Sequence, residues 1–587
     1  MRYLFSSVVP PDVSKLHSPI ESLPMGLAYV ASALRRTGRY VSGIHVAWHN
    51  DPIEALLQKI RYEDIDVLCL SGMSRDFPAL RETISVVRKN CPHVKIVVGG
   101  YIITAEPEFI AKHLDIDFGC IGYGEETICE LADCLETNGD YSSIKGLIYM
   151  RGGGMFINPK RPQPESLDNI PFPALELFGF TGRNQCLLVL SARSCIGSCT
   201  FCYRFGGYKY ITRSLDNVFL EIDYWREKFP ISTILFHDEL FAYDKYEALI
   251  FCSRIKEYDI TYAISLRVDI VSEELIKALA ESGCTEIFYG IESMNQKVLD
   301  SMRKNITVEQ TEYALKITHK YNITALGNLI FGDPAETYDI AKESQEWWLK
   351  NTDYSVLLDM IIPYPGSALY NNGLKKGQIK DKLSLYENGY RIPINLSAMT
   401  DAEYNKVQWQ NAFLQGMVRQ AINIRYEIGA DGKVIICGDC PTCGTVNYTG
   451  RIKGGFNNRF AGEQSCRGCN SKILFKTAYN NYFELRYFND FCYEGKKIAV
   501  WGLSEKAKFR IATNKYMREV VAVIVDRNYN CFKNTFLGFE VQSPKVIGKT
   551  DFNVLYIGSS ISRESIINMA WEIVGDELFK KEIMIMD

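Results

Sequence analysis

The sequence predicts an α/β protein of several domains, and three stretches of alternating strand and helix patterns support this. Apolar strand patterns alternate with amphipathic helix patterns over residues 1–150 and again over 185–375. A strand, a turn, a helix and a strand follow once more from Lys496. Such alternation builds parallel sheets covered by helices. At 587 residues the chain is also too long for one domain.

The composition narrows the class of protein. Hydrophobic residues make up 47% of the chain and charged residues 23%, which is the usual balance of a folded protein. The net charge of −4 and the lack of a basic run argue against a nucleic-acid partner. No apolar stretch approaches the ~18 residues that cross a bilayer, and the first apolar run is too short for a signal peptide. We therefore expect a cytoplasmic protein with no membrane partner, whose eighteen cysteines serve as metal ligands and free thiols.

Residues 1–150 are expected to form a doubly wound, Rossmann-like sheet, with strands at Tyr3–Val9, Asp66–Ser71 and Lys95–Val98 and helices at Met25–Gly38 and Ala79–Lys89. Such sheets bind ligands at the carboxyl ends of their strands. The candidate ligand-binding residues at those ends are Ser71, Gly72, Met73, Ser74, Arg75, Gly99, Gly100, Tyr101, Gly122, Gly124 and Glu125. The glycines would let the backbone approach a flat or phosphorylated ligand, although each glycine pair alone is also consistent with an ordinary turn.

A proline-rich linker is predicted over residues 151–184, and a partial (β/α)6 barrel over 185–375. Active-site groups of such barrels lie at the carboxyl ends of the strands. The polar residues at or near those ends are Asp238, Glu239, Ser265, Arg267, Glu292, Ser293 and Asn328. Carboxylates suit ammonium groups or ribose hydroxyls, and an arginine suits a carboxylate. Each acid alone could be a solvated loop charge, but their recurrence after successive strands favours a binding site.

The stretch Ser194–Tyr203 places Cys195, Cys199 and Cys202 in a C-x3-C-x2-C spacing. Three thiolates so close together can each hold one iron of a [4Fe–4S] cluster. The fourth iron would then stay open to bind and activate a ligand, as the open position of a catalytic zinc does. The alternatives are a zinc site that lacks its fourth ligand and thiols packed as small hydrophobic groups.

This spacing resembles the signature of the radical SAM enzymes. The resemblance implies that the open iron binds the amino and carboxylate groups of S-adenosylmethionine, and that one electron from the cluster cleaves it to a 5′-deoxyadenosyl radical. In the same pattern Asp238 and Glu239 correspond to the segment that contacts the methionine amine. Ser265 and Arg267 correspond to the carboxylate side, and Glu292, next to Ser293, corresponds to a ribose contact. Pro363–Gly366 matches the segment that closes the barrel. Tyr203, which follows the last loop cysteine, is a candidate to line the cofactor and substrate space.

The N-terminal glycine motifs, taken together, resemble the cobalamin-binding domain attached to one class of radical SAM enzymes. They are Leu23–Leu27, Val97–Gly100 and Gly122–Glu126. The sequence lacks the Asp-x-His-x-x-Gly motif that supplies a histidine to cobalt in other cobalamin proteins. The resemblance therefore implies that Met73, Ser74 or Arg75 covers the lower face of cobalt.

The family resemblance implies a cobalamin-dependent radical SAM C-methyltransferase that acts on an unactivated carbon of a small molecule. It also implies an external one-electron reductant such as flavodoxin or ferredoxin. A rearrangement or cyclisation without methyl transfer shares every motif above. A non-catalytic corrinoid- and metal-binding sensor is an alternative of another class, and it would need no open iron.

The C-terminal third is expected to begin with a helical cap over residues 376–436. A metal module at 437–475 follows, where two C-x2-C pairs predict a structural zinc site at Cys440, Cys443, Cys466 and Cys469. Cys437 extends the first pair to C-x2-C-x2-C, so a second iron–sulfur cluster is the alternative.

Residues 490–587 predict a small Rossmann-like domain. The turn at Gly502 lacks the G-x-G-x-x-G that close approach to a pyrophosphate requires, which argues against dinucleotide binding. The domain is similar to one appended to some C-methyltransferases and surface-sugar enzymes, and a sugar nucleotide is one substrate that this would suit.

Overall fold

The computed structural model describes residues 1–8, 23–49, 51–182, 186–203, 209–231, 233–242, 244–351, 354–390, 393–416, 419–420, 422–428, 434–448, 463–466, 468, 472–474, 496–504, 507–508, 511, 515–529, 535–558, 563–575, 578 and 581–585. The α/β prediction is confirmed, since three mainly parallel sheets dominate the fold. Within the described residues, no helix has both the length and the apolar character that a membrane crossing requires.

The N-terminal sheet has seven strands in the order β2-β1-β3-β4-β5-β6-β7. The first five are parallel, and β6 and β7 add an antiparallel edge. The strands are β1 (Arg2–Ser6), β2 (Tyr40–Ile44), β3 (Val67–Ser71), β4 (Lys95–Gly99), β5 (Phe118–Cys120), β6 (Leu147–Arg151) and β7 (Gly154–Ile157). The helices are α1 (Met25–Arg36), α2 (Pro52–Tyr62), α3 (Phe77–Asn90), α4 (Tyr101–Ala105), α5 (Pro107–His113) and α6 (Glu125–Thr137).

Both faces of this sheet are buried, as expected for a doubly wound fold. Successive side chains of a strand point to opposite faces. Tyr3 and Phe5 of β1 accordingly join one core, together with α1 and α6, whereas Leu4 joins the core beneath α2 and α3. The first of these cores continues into the barrel, through residues such as Leu187 and Phe236. The two domains therefore share one hydrophobic core.

The second sheet confirms the predicted partial barrel. Its six parallel strands run in the order β15-β14-β13-β12-β11-β8. The strands, with the short hairpin β9–β10, are β8 (Leu187–Val189), β9 (Ala192–Arg193), β10 (Ile211–Thr212), β11 (Thr233–Phe236), β12 (Thr261–Leu266), β13 (Cys284–Glu292), β14 (Thr324–Phe331) and β15 (Ser355–Met360). The helices are α7 (Leu215–Lys228), α8 (Lys245–Ile255), α9 (Glu273–Glu281), α10 (Gln296–Ser301), α11 (Val308–Lys320) and α12 (Tyr338–Lys350).

Three helices follow the barrel: α13 (Ala368–Lys375), α14 (Lys382–Glu387) and α15 (Asp401–Gly416). They bind the barrel back to the N-terminal domain, because Tyr370 and Tyr386 donate hydrogen bonds of 3.1 and 2.8 Å to the Glu106 carboxylate. The expectation of a helical cap up to residue 436 is wrong beyond Gly416, where the described residues form strands. The apolar residues of Ile422–Ile428 alternate with polar ones, and this two-residue period favours a strand.

The C-terminal third contains two small three-stranded sheets and a six-stranded sheet. The small sheets comprise β16 (Arg419–Gln420), β17 (Ile422–Ile428), β18 (Val434–Asp439), β19 (Val446–Tyr448), β20 (Glu463–Ser465) and β21 (Lys472–Leu474). The large sheet, in the order β24-β25-β23-β22-β26-β27, comprises β22 (Ile498–Trp501), β23 (Val521–Val525), β24 (Thr535–Phe536), β25 (Phe539–Gln542), β26 (Val554–Ile557) and β27 (Glu582–Ile585). Helices α16 (Lys515–Val520) and α17 (Arg563–Val574) accompany it. All its strand pairs are parallel except β24–β25, which makes this sheet Rossmann-like.

Gly100 provides a test of the N-terminal turn geometry. Its φ of +89° and ψ of −168° belong to a region that is essentially restricted to glycine, and an added Cβ would overlap Ser71 Oγ and lie 2.9 Å from the Gly72 carbonyl oxygen. We expect Gly100→Ala to lower the free energy of unfolding by more than about 2 kcal/mol, measured by thermal or urea unfolding. The control is Gly26→Ala on α1, where a Cβ meets no atom within 4 Å; it should be neutral or stabilise by up to about 1 kcal/mol. Equal effects of the two substitutions would contradict this geometry.

Candidate active site

A cavity of about 820 Å³ lies where the carboxyl edges of the N-terminal sheet and the barrel sheet face each other. Both domains line it, and its walls are mainly apolar. The predicted site residues among its lining are Ser71, Met73, Gly99, Gly100, Tyr101, Gly122, Gly124, Glu125, Asp238, Glu239 and Ser265. A volume of this size is typical of a site for a small organic ligand or cofactor. The structure therefore brings together residues that lie as much as 194 positions apart in the sequence.

The N-terminal wall is built from the loops after β3, β4 and β5. Gly26 and Gly122 line the cavity, and a Cβ at either position would project into open space. Among the three candidates for the lower face of cobalt, Met73 lines the cavity and is 39% exposed, while Ser74 is buried and the side chain of Arg75 is half exposed. The geometry therefore favours Met73 over its two neighbours.

The barrel wall includes Asp238 and Glu239 at the end of β11, and the two acids differ in their surroundings. Asp238 accepts hydrogen bonds from Ser191 N at 2.8 Å, Ser191 Oγ at 2.5 Å and Ala192 N at 2.9 Å. Burial raises the pKa of Asp238 to about 7, although these bonds oppose the shift. Asp238 thus fixes the connection between β8 and β9. Glu239 accepts a bond of 3.0 Å from Tyr101 Oη of the N-terminal domain.

A buried ion pair joins the two walls of the cavity. Arg193 Nη2 lies 2.6 Å from Glu125 Oε1, and the two side chains are only 13% and 10% exposed. Glu125 opens helix α6 of the N-terminal domain, where the helix dipole favours a negative charge. The guanidinium also lies over the rings of Tyr29 and Tyr123, 5.1 and 4.9 Å from their centroids. Arg193 directly precedes the cysteine loop, so this pair fixes the base of that loop to the cavity wall.

The cysteine loop begins at Ser194, whose φ of +69° is unusual for a residue other than glycine. A Cβ on Gly197 would lie 3.6 Å from the sulfurs of both Cys195 and Cys199, so the loop wraps closely around the space between these thiols. Two backbone bonds hold the loop, from Thr200 N to Met302 O at 2.9 Å and from Leu369 N to Thr200 O at 2.8 Å. The second of these comes from the predicted closing region of the barrel.

Two cations lie beside this loop. A Cβ on Gly197 would lie 3.8 Å from Arg267 Nη1, and Arg267 in turn binds Asp269 at 2.8 Å. Lys304 Nζ binds Glu292 Oε1 at 2.7 Å, with both side chains 12% exposed. Burial by itself lowers the pKa of Lys304, but Glu292 and the Cys199 thiol raise it above its usual value, so Lys304 remains charged. Burial raises the pKa of the Cys199 and Cys202 thiols, and the charge of Lys304 opposes this shift for both. The positive charge thus acts toward the thiolate, which is the form that binds iron.

The remaining predicted residues lie outside the cavity lining. They are the three loop cysteines with Tyr203, Gly72, Ser74, Arg75, Arg267, Glu292, Ser293 and Asn328. Glu292 has a φ of +63° at a register shift between β13 and β14, and such irregularities re-aim a side chain at a strand end. Asn328 is exposed on β14, and the ring of Tyr203 packs edge-on against Tyr101 at 5.6 Å. The binding roles of these residues stay predictions.

Sequence reasoning did not identify Arg193 and Lys304. Arg193 could have been noticed as a charge between an apolar strand and the first cysteine. Nothing in the local sequence distinguishes Lys304 from other lysines that follow a helix, because its partner Glu292 lies twelve residues away on a strand.

Three of the four predicted zinc ligands are described in the C-terminal third of the chain, and none of these three lines the cavity. Cys440, Cys443 and Cys466 come together there, with their sulfurs within 4.8 Å of one another. Cys469 lies outside the described residues.

The Rossmann-like N-terminal sheet and the partial barrel with its cysteine loop agree with two matches to known protein families. Residues 16–132 match the family model of the B12 binding domain, and residues 189–347 match that of the radical SAM superfamily. The chain therefore joins a segment that matches the B12 binding domain to one that matches the radical SAM superfamily, in that order.

The proteins that the chain is similar to include methyltransferases and a cyclase. The chain is 29% identical to an uncharacterized methyltransferase of Pyrococcus horikoshii over 62% of this chain and 81% of the relative. It is 24% identical to the anaerobic magnesium-protoporphyrin IX monomethyl ester cyclase of Rubrivivax gelatinosus, over 62% of this chain and 67% of the relative. Its fold is similar to the radical S-adenosylmethionine methyltransferase TsrM of Kitasatospora setae, solved with cobalamin and a [4Fe–4S] cluster. The TM-score is 0.55 at 18% identity, covering 65% of this chain and 76% of that one.

The ion pair between the two walls predicts a large effect of Glu125→Gln. This substitution leaves Arg193 buried without its counter-charge, and we expect a loss of about 3 kcal/mol in the free energy of unfolding. The control is Glu126→Gln, because the neighbouring acid pairs with Arg161 through a side chain that is 71% exposed. That control should change stability by less than about 1 kcal/mol. Thermal unfolding of both variants measures the difference, and a control as destabilised as Glu125→Gln would refute the assigned role.

Proposed function

We propose that this protein is a cobalamin-dependent radical SAM C-methyltransferase that acts on an unactivated carbon of a small molecule. The observation that carries the proposal is the cavity between the two carboxyl edges. A buried ion pair joins the wall of this cavity to the cysteine loop. A methyl carrier in one domain and a radical source in the other would thus meet at the same space.

The cysteine loop fits a [4Fe–4S] cluster. Cys195 and Cys199 both lie close to Gly197, Cys202 is exposed nearby on the same loop, and two cations favour thiolates there. Three ligands leave one iron open, and the bound cluster supplies the electron that cleaves S-adenosylmethionine. Among the chain's own acids, Glu239 is the candidate for the methionine amine, because it lines the cavity and meets Tyr101 of the opposite wall. The Asp238 carboxylate instead accepts three bonds from the β8–β9 connection.

The N-terminal wall fits a large flat cofactor. Gly26 and Gly122 leave open the space that side chains would fill, and the apolar wall excludes water from it. Met73 is the residue of the chain that would face the lower side of the corrin. Bound cobalamin would supply methyl-transfer chemistry, and the residues of this wall would hold it.

A second candidate is a cyclisation or rearrangement without methyl transfer. The 24% identity to an anaerobic magnesium-protoporphyrin IX monomethyl ester cyclase favours it, since that relative aligns over much the same share of the chain. The motifs and the cavity suit both reactions equally.

The test is anaerobic. The purified protein is reconstituted with iron, sulfide and cobalamin, and S-adenosylmethionine is added with flavodoxin or dithionite as the electron donor. Mass spectrometry then measures 5′-deoxyadenosine and S-adenosylhomocysteine. We expect both products from the wild type, and loss of 5′-deoxyadenosine in Cys199→Ala because the cluster loses a ligand. The control is Cys134→Ala on α6, a thiol that does not line the cavity.

The outcomes separate the alternatives. Formation of 5′-deoxyadenosine without S-adenosylhomocysteine would contradict methyl transfer and support the cyclisation or rearrangement. Neither product from protein with a full cluster would contradict the enzymatic proposal and favour a corrinoid-binding sensor. Equal activity in Cys199→Ala and Cys134→Ala would refute the role of the cysteine loop.

A further inference from the structure

The C-terminal third contains a cluster of thiols that the proposed reaction does not use. Among the described residues, the sulfurs of Cys440, Cys443 and Cys466 lie within 4.8 Å of one another, and those of Cys443 and Cys466 are 3.4 Å apart. Four thiolates around one tetrahedral zinc, with Zn–S bonds of about 2.3 Å, lie about 3.8 Å apart. In a [4Fe–4S] cluster each thiolate binds a different iron, so the sulfurs must stand further from one another. The observed spacing suits a single ion.

Two similar turns supply these thiols. Thr442 N donates to Cys440 Sγ at 3.4 Å, and Gly468 N donates to Cys466 Sγ at 3.3 Å, so in each turn a cysteine accepts from the residue two positions later. Asn447 Nδ2 lies 3.5 Å from Cys466 Sγ. Hydrogen bonds to a charged sulfur favour its deprotonated form, which is the form that binds a metal.

The two turns pack directly against each other. A Cβ on Gly468 would overlap Thr445 and lie 3.1 Å from Cys443 Sγ, so only glycine permits this approach. Cys437 is different: it lies on β18, fully buried, opposite Arg425 and Tyr448 in the neighbouring strands, and it does not belong to the group of three. Cys437 is therefore not part of the closely spaced thiol group that a single ion needs.

We propose that Cys440, Cys443 and Cys466 hold a structural Zn²⁺, independent of the cluster in the barrel. In the sequence, the C-x2-C spacing that begins at Cys466 predicts Cys469 as a fourth ligand, and Cys469 lies outside the described residues. Cys440 and Cys466 pack in one core with Ile473 of β21 and with Ile498 and other residues of the Rossmann-like sheet. The ion therefore joins the metal module to the C-terminal domain, and its loss loosens this unit without reaching the cavity.

The experiment uses the full chain with Cys195, Cys199 and Cys202 all replaced by alanine, so that barrel iron does not enter the measurement. Elemental analysis of this protein should give about one zinc per chain. Adding Cys440→Ala or Cys466→Ala should lower the zinc content at least about tenfold, since a structural site needs its full ligand set. The matched control is Cys437→Ala on β18, three residues before Cys440, and it should leave the zinc content unchanged.

A second measurement guards against variants that fail to fold. Cobalt(II) exchanged into the same alanine-substituted protein should give the intense visible bands of a tetrahedral thiolate site. Iron in place of zinc, no bound metal, or zinc lost in Cys437→Ala but kept in Cys440→Ala would each overturn the proposal. Because the barrel cysteines are absent, none of these results depends on the methyltransferase reaction, and failure of either proposal leaves the other standing.

Discussion

The buried pair between Glu125 and Arg193 is the contact on which the arrangement of the site depends. A charge inside a protein is costly unless it is paired at short range, so neither residue can move away from the other without a large loss of stability. Glu125 opens a helix of the N-terminal domain, while Arg193 leads into the cysteine loop. The pair therefore determines how far the loop lies from the N-terminal wall, and with it the width of the cavity.

The shared core makes this arrangement rigid. Side chains from one face of the N-terminal sheet pack in the same core as side chains from the strands and helices of the barrel. The hydrogen bonds of Tyr370 and Tyr386 to Glu106 provide a second connection between the two domains. Ser194 and Glu292, which lie beside the thiols, have a left-handed backbone conformation although neither is glycine. Such conformations persist only where surrounding packing enforces them. A reaction that passes between two cofactors needs this kind of fixed separation.

The C-terminal third follows a different principle. Its cysteine turns and its Rossmann-like sheet have a core of their own, which contains no residue of the barrel among the described side chains. Its strand ends also lack the glycine pattern for dinucleotides. The structure thus combines a cavity between two rigidly packed domains with a separate unit that, as we propose, a metal ion organises.

Local pattern alone determined the α/β class, the barrel, the cysteine loop and the residues at the strand ends, because parallel strands place their carboxyl ends at one edge whatever the details of packing. It also gave the two cysteine pairs. The local pattern did not predict the ion pairs of Arg193 with Glu125 and of Lys304 with Glu292. It also did not predict that Asp238 is bonded to the β8–β9 connection, or that Cys437 lies outside the group of three thiols. Each of these depends on which side chains meet across elements distant in sequence or on which way a strand faces. Only tertiary packing decides that, since local spacing carries no information about a partner on another element.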